Sequence, residues 1–222
     1  AVKLLGYDRA HVITALSIGA SEAAGLRENF GTMTKPLHAG RASESGVVAA
    51  ELAALGWTAA DQILEAPRGF FHAAGGGFDA NAIMGKLGKP WTFVSPGISI
   101  KPYPSGSLTH PGMTEMERLI KANKITAAQI DRVRVGTNKN TPNALIHHKP
   151  TDNLQAKFSM EYNMAAALID GAIRLASFDE AKVRRSDIAA FMPRVSVAEA
   201  PGAILPRWSD VKLTLKDGRV LQ

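Results

Sequence analysis

The chain has 222 residues, 45% apolar and 21% charged, with 20 Gly, 12 Pro and no Cys, which excludes a disordered, collagen-like or disulfide-stapled polypeptide and thiol catalysis with it. Its 26 Lys and Arg against 20 Asp and Glu leave a formal net charge of +6, scattered rather than gathered into the basic stripe of a nucleic-acid reader. No apolar run approaches the roughly 20 residues that span a bilayer, and the length allows one large domain or two small ones.

In chain order, the opening Ala1-Val2-Lys3 has neither an initiator Met nor the apolar core of a signal peptide, so the start reads as an internal segment. Val12, Ile13, Leu16, Ala20, Ala23 and Ala24 recur near helical spacing, and Gly25 marks a stop. A second helix is predicted from about His38 to Leu55, with small residues that permit close packing. Short helices are expected around Asp61 to Leu64 and Asp79 to Leu87, separated by the turn Gly75-Gly76-Gly77. Composition then changes. Trp91 to Val94 and Ile98 to Ile100 are β-prone, and Pro102, Pro104 and Gly106 interrupt regular structure. A helix from Pro111 to Asn123 follows, then an alternating strand from Ile130 to Val135. The pattern next predicts a long Ala-rich helix from Ser159 to about Ala176, and short helices near Glu180 and Asp187. The terminal strand Val211 to Leu215 leads through a turn into Val220-Leu221, a return arm that stops so soon that the end reads as that of a fragment. The fold class expected is therefore mainly α with an α+β part, having too few strands for a doubly wound sheet.

Two segments concentrate polar groups. In the first, Lys35, His38 and Arg41 gather at the start of the second helix, where Pro36 places Lys35 in an extended lead-in. Positive charge there opposes the helix dipole by about 0.3 to 1 kcal/mol per group, a penalty that an anionic ligand reverses. The alternative is that Lys35 and Arg41 are simply solvated and His38 caps the helix. In the second, Lys101-Pro102-Tyr103-Pro104-Ser105 is stiffened by two prolines and precedes Gly106, Ser107 and His110. Such a loop can hold side chains with little residual motion, although an exposed Lys101 and a packed Tyr103 would also satisfy the pattern. His147-His148 lacks a third ligand at metal spacing, so no metal site is expected. Gly75-Gly76-Gly77 is not followed by the Lys-Ser or Lys-Thr of a phosphate loop, and His72 reads as a packed core histidine.

Together, Met33-Thr34-Lys35-Pro36-Leu37-His38-Ala39-Gly40-Arg41-Ala42, Gly69-Phe70-Phe71, Lys101-Pro102-Tyr103-Pro104-Ser105 and Ala156-Lys157-Phe158-Ser159-Met160-Glu161-Tyr162 resemble the MmgE/PrpD family, in order and in approximate separation. That family includes 2-methylcitrate dehydratase, cis-aconitate decarboxylase and iminodisuccinate epimerase, which act on small polycarboxylates without a metal or organic cofactor. By this resemblance, residues 1–90 correspond to part of an all-helical domain and residues 91–222 to most of an α+β lid domain, of a longer protein whose earlier Asp and His motif has no match here. Lys35 and Lys101 resemble the family's two active-site lysines, His38 shares the first motif, and Tyr162 resembles an active-site tyrosine. Arg41, Ser105 and His110 are then candidates for holding carboxylates. In the decarboxylase a histidine follows the second lysine, and the corresponding position here is Gly106, which counts against decarboxylation.

The resemblance implies a cofactor-independent lyase that dehydrates a 2-methylcitrate-like hydroxy acid, with an epimerase or a non-catalytic relative as alternatives. It further implies a cytoplasmic homodimer with a small polycarboxylate substrate and neither a nucleic-acid nor a membrane partner.

Overall fold

Small residues set the first helix pair in the computed structural model, which describes residues 1–222. Helix α1 (Arg9–Ser21) begins where the Asp8 side chain accepts from the His11 amide at 2.9 Å, satisfying one of the unpaired N–H groups of the first turn. It packs along α2 (Thr34–Ala54), which buries Ser45, Ala49, Ala50 and Ala53. Gly19 of α1 lies so near α2 that an added Cβ would sit 3.8 Å from the Ala49 methyl. The second helix starts four residues earlier than its pattern predicts. Pro36 falls inside the first turn, where no intrahelical N–H is required, so Lys35 is helical and not extended.

Two short helices, α3 (Phe70–Gly75) and α4 (Ala80–Ile83), follow in the same unit, which comprises residues 1–26 and 34–99. Asp61 to Leu64 form turns, a four-residue stretch being too short to nucleate a helix alone. Trp91 to Ile100 contains no strand. Phe93–Gly97 forms an irregular turn with Ser95 extended, since β-prone side chains make a strand only where a partner edge exists. His72 is exposed rather than packed, with its ring near the Ala66 carbonyl at 3.1 Å.

The second unit comprises residues 27–33 and 100–222. Helix α5 (His110–Asn123) leads to β1 (Ile130–Thr137). Next come α6 (Asn153–Ala156) and α7 (Met160–Asp170). After these run α8 (Glu180–Val183), α9 (Ser186–Phe191) and β2 (Val195–Glu199), and the chain ends in the hairpin of β3 (Ser209–Leu215) and β4 (Val220–Leu221). The sheet order is β2-β1-β3-β4, with β1 parallel to β2 and antiparallel to β3.

Alternation on β3 turns Val211, Leu213 and Leu215 inward, where they meet Met113 and Met116 of α5, Val133 and Val135 of β1 and the central helix α7. From Met160 through Leu168 every residue of α7 is buried, so this helix has no solvent-facing side and encloses the polar Glu161 and Asn163 along with its apolar residues. It stops at Gly171, whose φ of +75° suits glycine, and not at Ala176 as its Ala-rich sequence predicts. The fold class is as expected: mainly α, with an α+β unit built on a small mixed sheet. No helix is long and apolar enough to cross a membrane.

Candidate active site

In the second unit, the segment from Lys101 to His110 turns tightly before α5. Ser105 and Gly106 are buried. The Thr109 hydroxyl donates to the Gly106 carbonyl at 2.8 Å, so the Ser105 hydroxyl, 2.9 Å from it, is left as the donor of that second bond. The Gly106 amide donates to the Lys157 carbonyl at 2.8 Å. A Cβ at Gly106 would lie 3.1 Å from the Phe158 ring and 3.2 Å from that carbonyl, a direct steric reason for glycine here.

With its side chain committed to Thr109, Ser105 leaves its carbonyl to other partners. Lys101 Nζ donates to that oxygen at 3.1 Å, and His110 Nε2 lies 3.3 Å from the same atom. One backbone acceptor thus brings an ammonium and an imidazole together. Ser105 itself is not a carboxylate-binding side chain as expected, because its hydroxyl is buried and spent on Thr109.

Tyr103 packs its ring edgewise on His110, with centroids 5.5 Å apart. Its hydroxyl donates to Glu117 at 3.4 Å and lies 3.1 Å from the Thr114 hydroxyl. Burial pushes the Tyr103 phenol up, and the Glu117 carboxylate adds to that effect. For His110, burial holds the imidazole below its ordinary value. The Ser105 carbonyl partly offsets this, while the charges of Lys101 and Arg207 reinforce it.

Arg207 is the residue that sequence reading missed. Its guanidinium donates to the Ser107 hydroxyl at 2.7 Å across a sequence separation of 100 residues. Buried Asn138, just past β1, fixes the intervening loop: its amide nitrogen donates to the carbonyls of Ala203, Ile204 and Pro206, and its oxygen accepts from the Trp208 amide at 2.7 Å. A polar residue buried at a strand end was the available signal, but nothing in the sequence says which loop it clamps.

Tyr162 is fully buried in α7 and donates its hydroxyl to the Ser177 carbonyl. Burial pushes its phenol up to about 12. It is a core group here, without the open face that the expected catalytic role requires.

In the first unit, Lys35 stands exposed in the first turn of α2, and this turn holds no acidic residue. The half-buried His38 ring packs against Gly25, where an added Cβ would sit 3.2 Å from it. Arg41 pairs with Glu44 at 2.7 Å on the exposed side of the helix, an engagement that a bound carboxylate would have to displace. His147 and His148 take separate partners, the Phe30 carbonyl at 2.5 Å and the Glu161 carboxylate at 2.7 Å. No group of three or more His, Asp or Glu is arranged to hold a metal ion.

Comparison with known proteins matches two domains of one family along the chain. The MmgE/PrpD N-terminal domain matches residues 1–83 and the MmgE/PrpD C-terminal domain residues 103–222. Cis-aconitate decarboxylase from Homo sapiens is 28% identical over 231 residues, covering 98% of this chain and 46% of that protein. The Mus musculus protein of the same name is 27% identical with the same coverage, and that of Aspergillus terreus is 29% identical over 195 residues, covering 80% of this chain and 39% of its own length. The chain therefore spans about half the length, or less, of the curated relatives it matches. With one domain of the family matching more than half of the residues and the other most of the remainder, this chain belongs to the MmgE/PrpD family.

Proposed function

We propose that the chain supplies the lysine-bearing part of a cofactor-independent lyase for small polycarboxylates. The reaction we assign moves a proton from carbon beside a carboxylate. Its difficulty is the second negative charge that accumulates on that carboxylate once the C–H bond breaks. Preorganised cationic donors aimed at this charge contribute about 3 to 4 kcal/mol each in a water-poor site. Lys101 is the second unit's candidate for that role; Lys35, with His38 as a proton-bearing neighbour on the same helix, is the first unit's own candidate. The observation that carries the reading is the meeting of Lys101 and His110 on one carbonyl, in a segment inside a family whose curated relatives are named as decarboxylases.

Elimination of water from a 2-methylcitrate-like hydroxy acid is the first reaction to test. In it one group removes the proton, and an acid such as His38 or His110 protonates the departing hydroxyl. Decarboxylation of a cis-aconitate-like acid is the second, favoured by the names of the relatives and by His110, which shares the Ser105 carbonyl with Lys101 although Gly106 stands where the resemblance puts a histidine.

The test is incubation of the active enzyme with 2-methylcitrate, citrate, cis-aconitate and iminodisuccinate in deuterated water, followed by NMR. Loss of the hydroxyl supports the dehydratase, release of carbon dioxide the decarboxylase, and deuterium exchange without elimination an epimerase in place of either. No exchange and no product with any of the four overturns the lyase reading.

A further inference from the structure

His110, Thr114 and Glu117 stand at i, i+4 and i+7 of α5 and so share one stripe of that helix. Tyr103 lies along the stripe. Its ring meets His110 edgewise with centroids 5.5 Å apart, its oxygen is 3.1 Å from the Thr114 hydroxyl, and its O–H donates to Glu117 Oε2 at 3.4 Å. A phenol has one hydrogen, so with that hydrogen on Glu117 the Thr114 hydroxyl is the donor of the shorter bond. Pro102 and Pro104 restrict the backbone on both sides, and the half-buried ring packs against the core cluster of the second unit. A side chain that only filled space would need none of these polar tethers. Glu117 Oε1 is buried without a partner, which is unfavourable, yet the fold keeps a carboxylate here, and the hydrogen bond its other oxygen accepts comes from Tyr103.

The tethered ring bears on how His110 can act. Nε2 of His110 lies 3.3 Å from the Ser105 carbonyl, and a carbonyl only accepts, so Nε2 carries a hydrogen in that contact and Nδ1 is the nitrogen that takes up or releases a proton. Rotation of the imidazole about its own side-chain bonds would give up the contact, and the Tyr103 ring packed on it stands against such rotation. We infer that Tyr103 is a positioning residue for His110: tethered by Thr114 and Glu117, its ring holds the imidazole on the Ser105 carbonyl and leaves Nδ1 to serve the proton transfer. This inference rests on the reading of His110 as the acid of a lyase and adds to it the residues that orient that acid. Burial pushes the Tyr103 phenol up, and Glu117 adds to this against the Thr114 hydrogen bond, so the tether keeps its hydrogen wherever the imidazole titrates. Burial, and then the charges of Lys101 in the same segment and Arg207 in the loop before β3, disfavour the protonated imidazole, with the Ser105 carbonyl opposing them.

The test follows the His110 ring by NMR in the 222-residue chain and turnover in the active enzyme. Tyr103→Phe keeps the ring and loses the tether. It is expected to shift the His110 ring resonances and to lower kcat by about 10-fold with KM within about twofold, the pattern of a misdirected acid and not of lost substrate binding. Tyr103→Ala removes the ring as well. Burial being the largest cause of the lowered His110 midpoint, this variant should raise that midpoint and lower kcat by about 100-fold. Should Tyr103→Ala not fold, Tyr103→Phe carries the test alone. His110 resonances in Tyr103→Phe that coincide with those of the parent chain, or a kcat within about twofold of the parent in that variant, overturn the assignment. Failure of the underlying reading looks different: the active enzyme then turns over none of the four acids, while the Tyr103 variants still move the His110 resonances.

Discussion

Lys101 is an exposed residue whose charge carries the proposed chemistry, so removing it should separate activity from folding. Lys101→Ala in the active enzyme is expected to lower turnover by about 100-fold or more while leaving the circular dichroism spectrum unchanged, in line with deletion of one electrostatic stabiliser. His110 provides a second check. Its folded form favours the neutral ring, chiefly through burial and further through Lys101 and Arg207. The unfolded chain therefore takes up this proton first as pH falls. Stability contributed here is complete above the ordinary imidazole range, and declines as pH drops from there to the lowered folded value. Denaturant titrations across that window should show a shallower acid loss in Arg207→Gln than in the parent chain. Among single residues, the local cluster was legible because Lys101, Ser105 and His110 are close in sequence. The orientation of Ser105 was not, since one buried hydroxyl pair decides it, and neither was the burial of Tyr162, which lies on a helix with no solvent side.

At the level of elements, strands revealed themselves where alternation was long enough, as in Ile130 to Val135 and Val211 to Leu215. The five residues of β2 escaped notice because Val195, Val197 and their neighbours are too few to set a period beside Pro193 and Pro201, and their pairing with β1 is fixed at long range. Helix ends moved for local reasons: Pro36 is tolerated in a first turn, and Gly171 takes a left-handed conformation that ends α7. The connection into α5 makes its own prediction. Because a Cβ at Gly106 meets the Phe158 ring and the Lys157 carbonyl, Gly106→Ala should destabilise the chain by about 1 to 3 kcal/mol in a denaturant melt. Asn138→Ala should cost a similar amount, about 1 to 3 kcal/mol, because it leaves the Trp208 amide and three carbonyls of the following loop without their partner.

For the whole molecule, the two units differ in what holds them. The buried apolar side chains of the first are Ala15, Ala49, Ala50 and Ala53, each with little surface to contribute, whereas the second encloses methionines, branched aliphatics and aromatics in one cluster. Hydrogen exchange read by mass spectrometry should accordingly find amides of α1 and α2 exchanging at least about 100-fold faster than those of α7 and β1. Equal protection in both sets would contradict this account of the packing.

The loop clamped by Asn138 has an optical consequence. Of the three tryptophans, Trp57 and Trp91 stand 60% and 69% exposed, while Trp208 lies half-buried against Gly202 and donates its indole N–H to the Ala203 carbonyl at 2.8 Å. With the two exposed indoles replaced by phenylalanine, the remaining emission comes from the residue adjoining Arg207, giving the protein a built-in fluorophore that reports on the state of this loop without any attached dye.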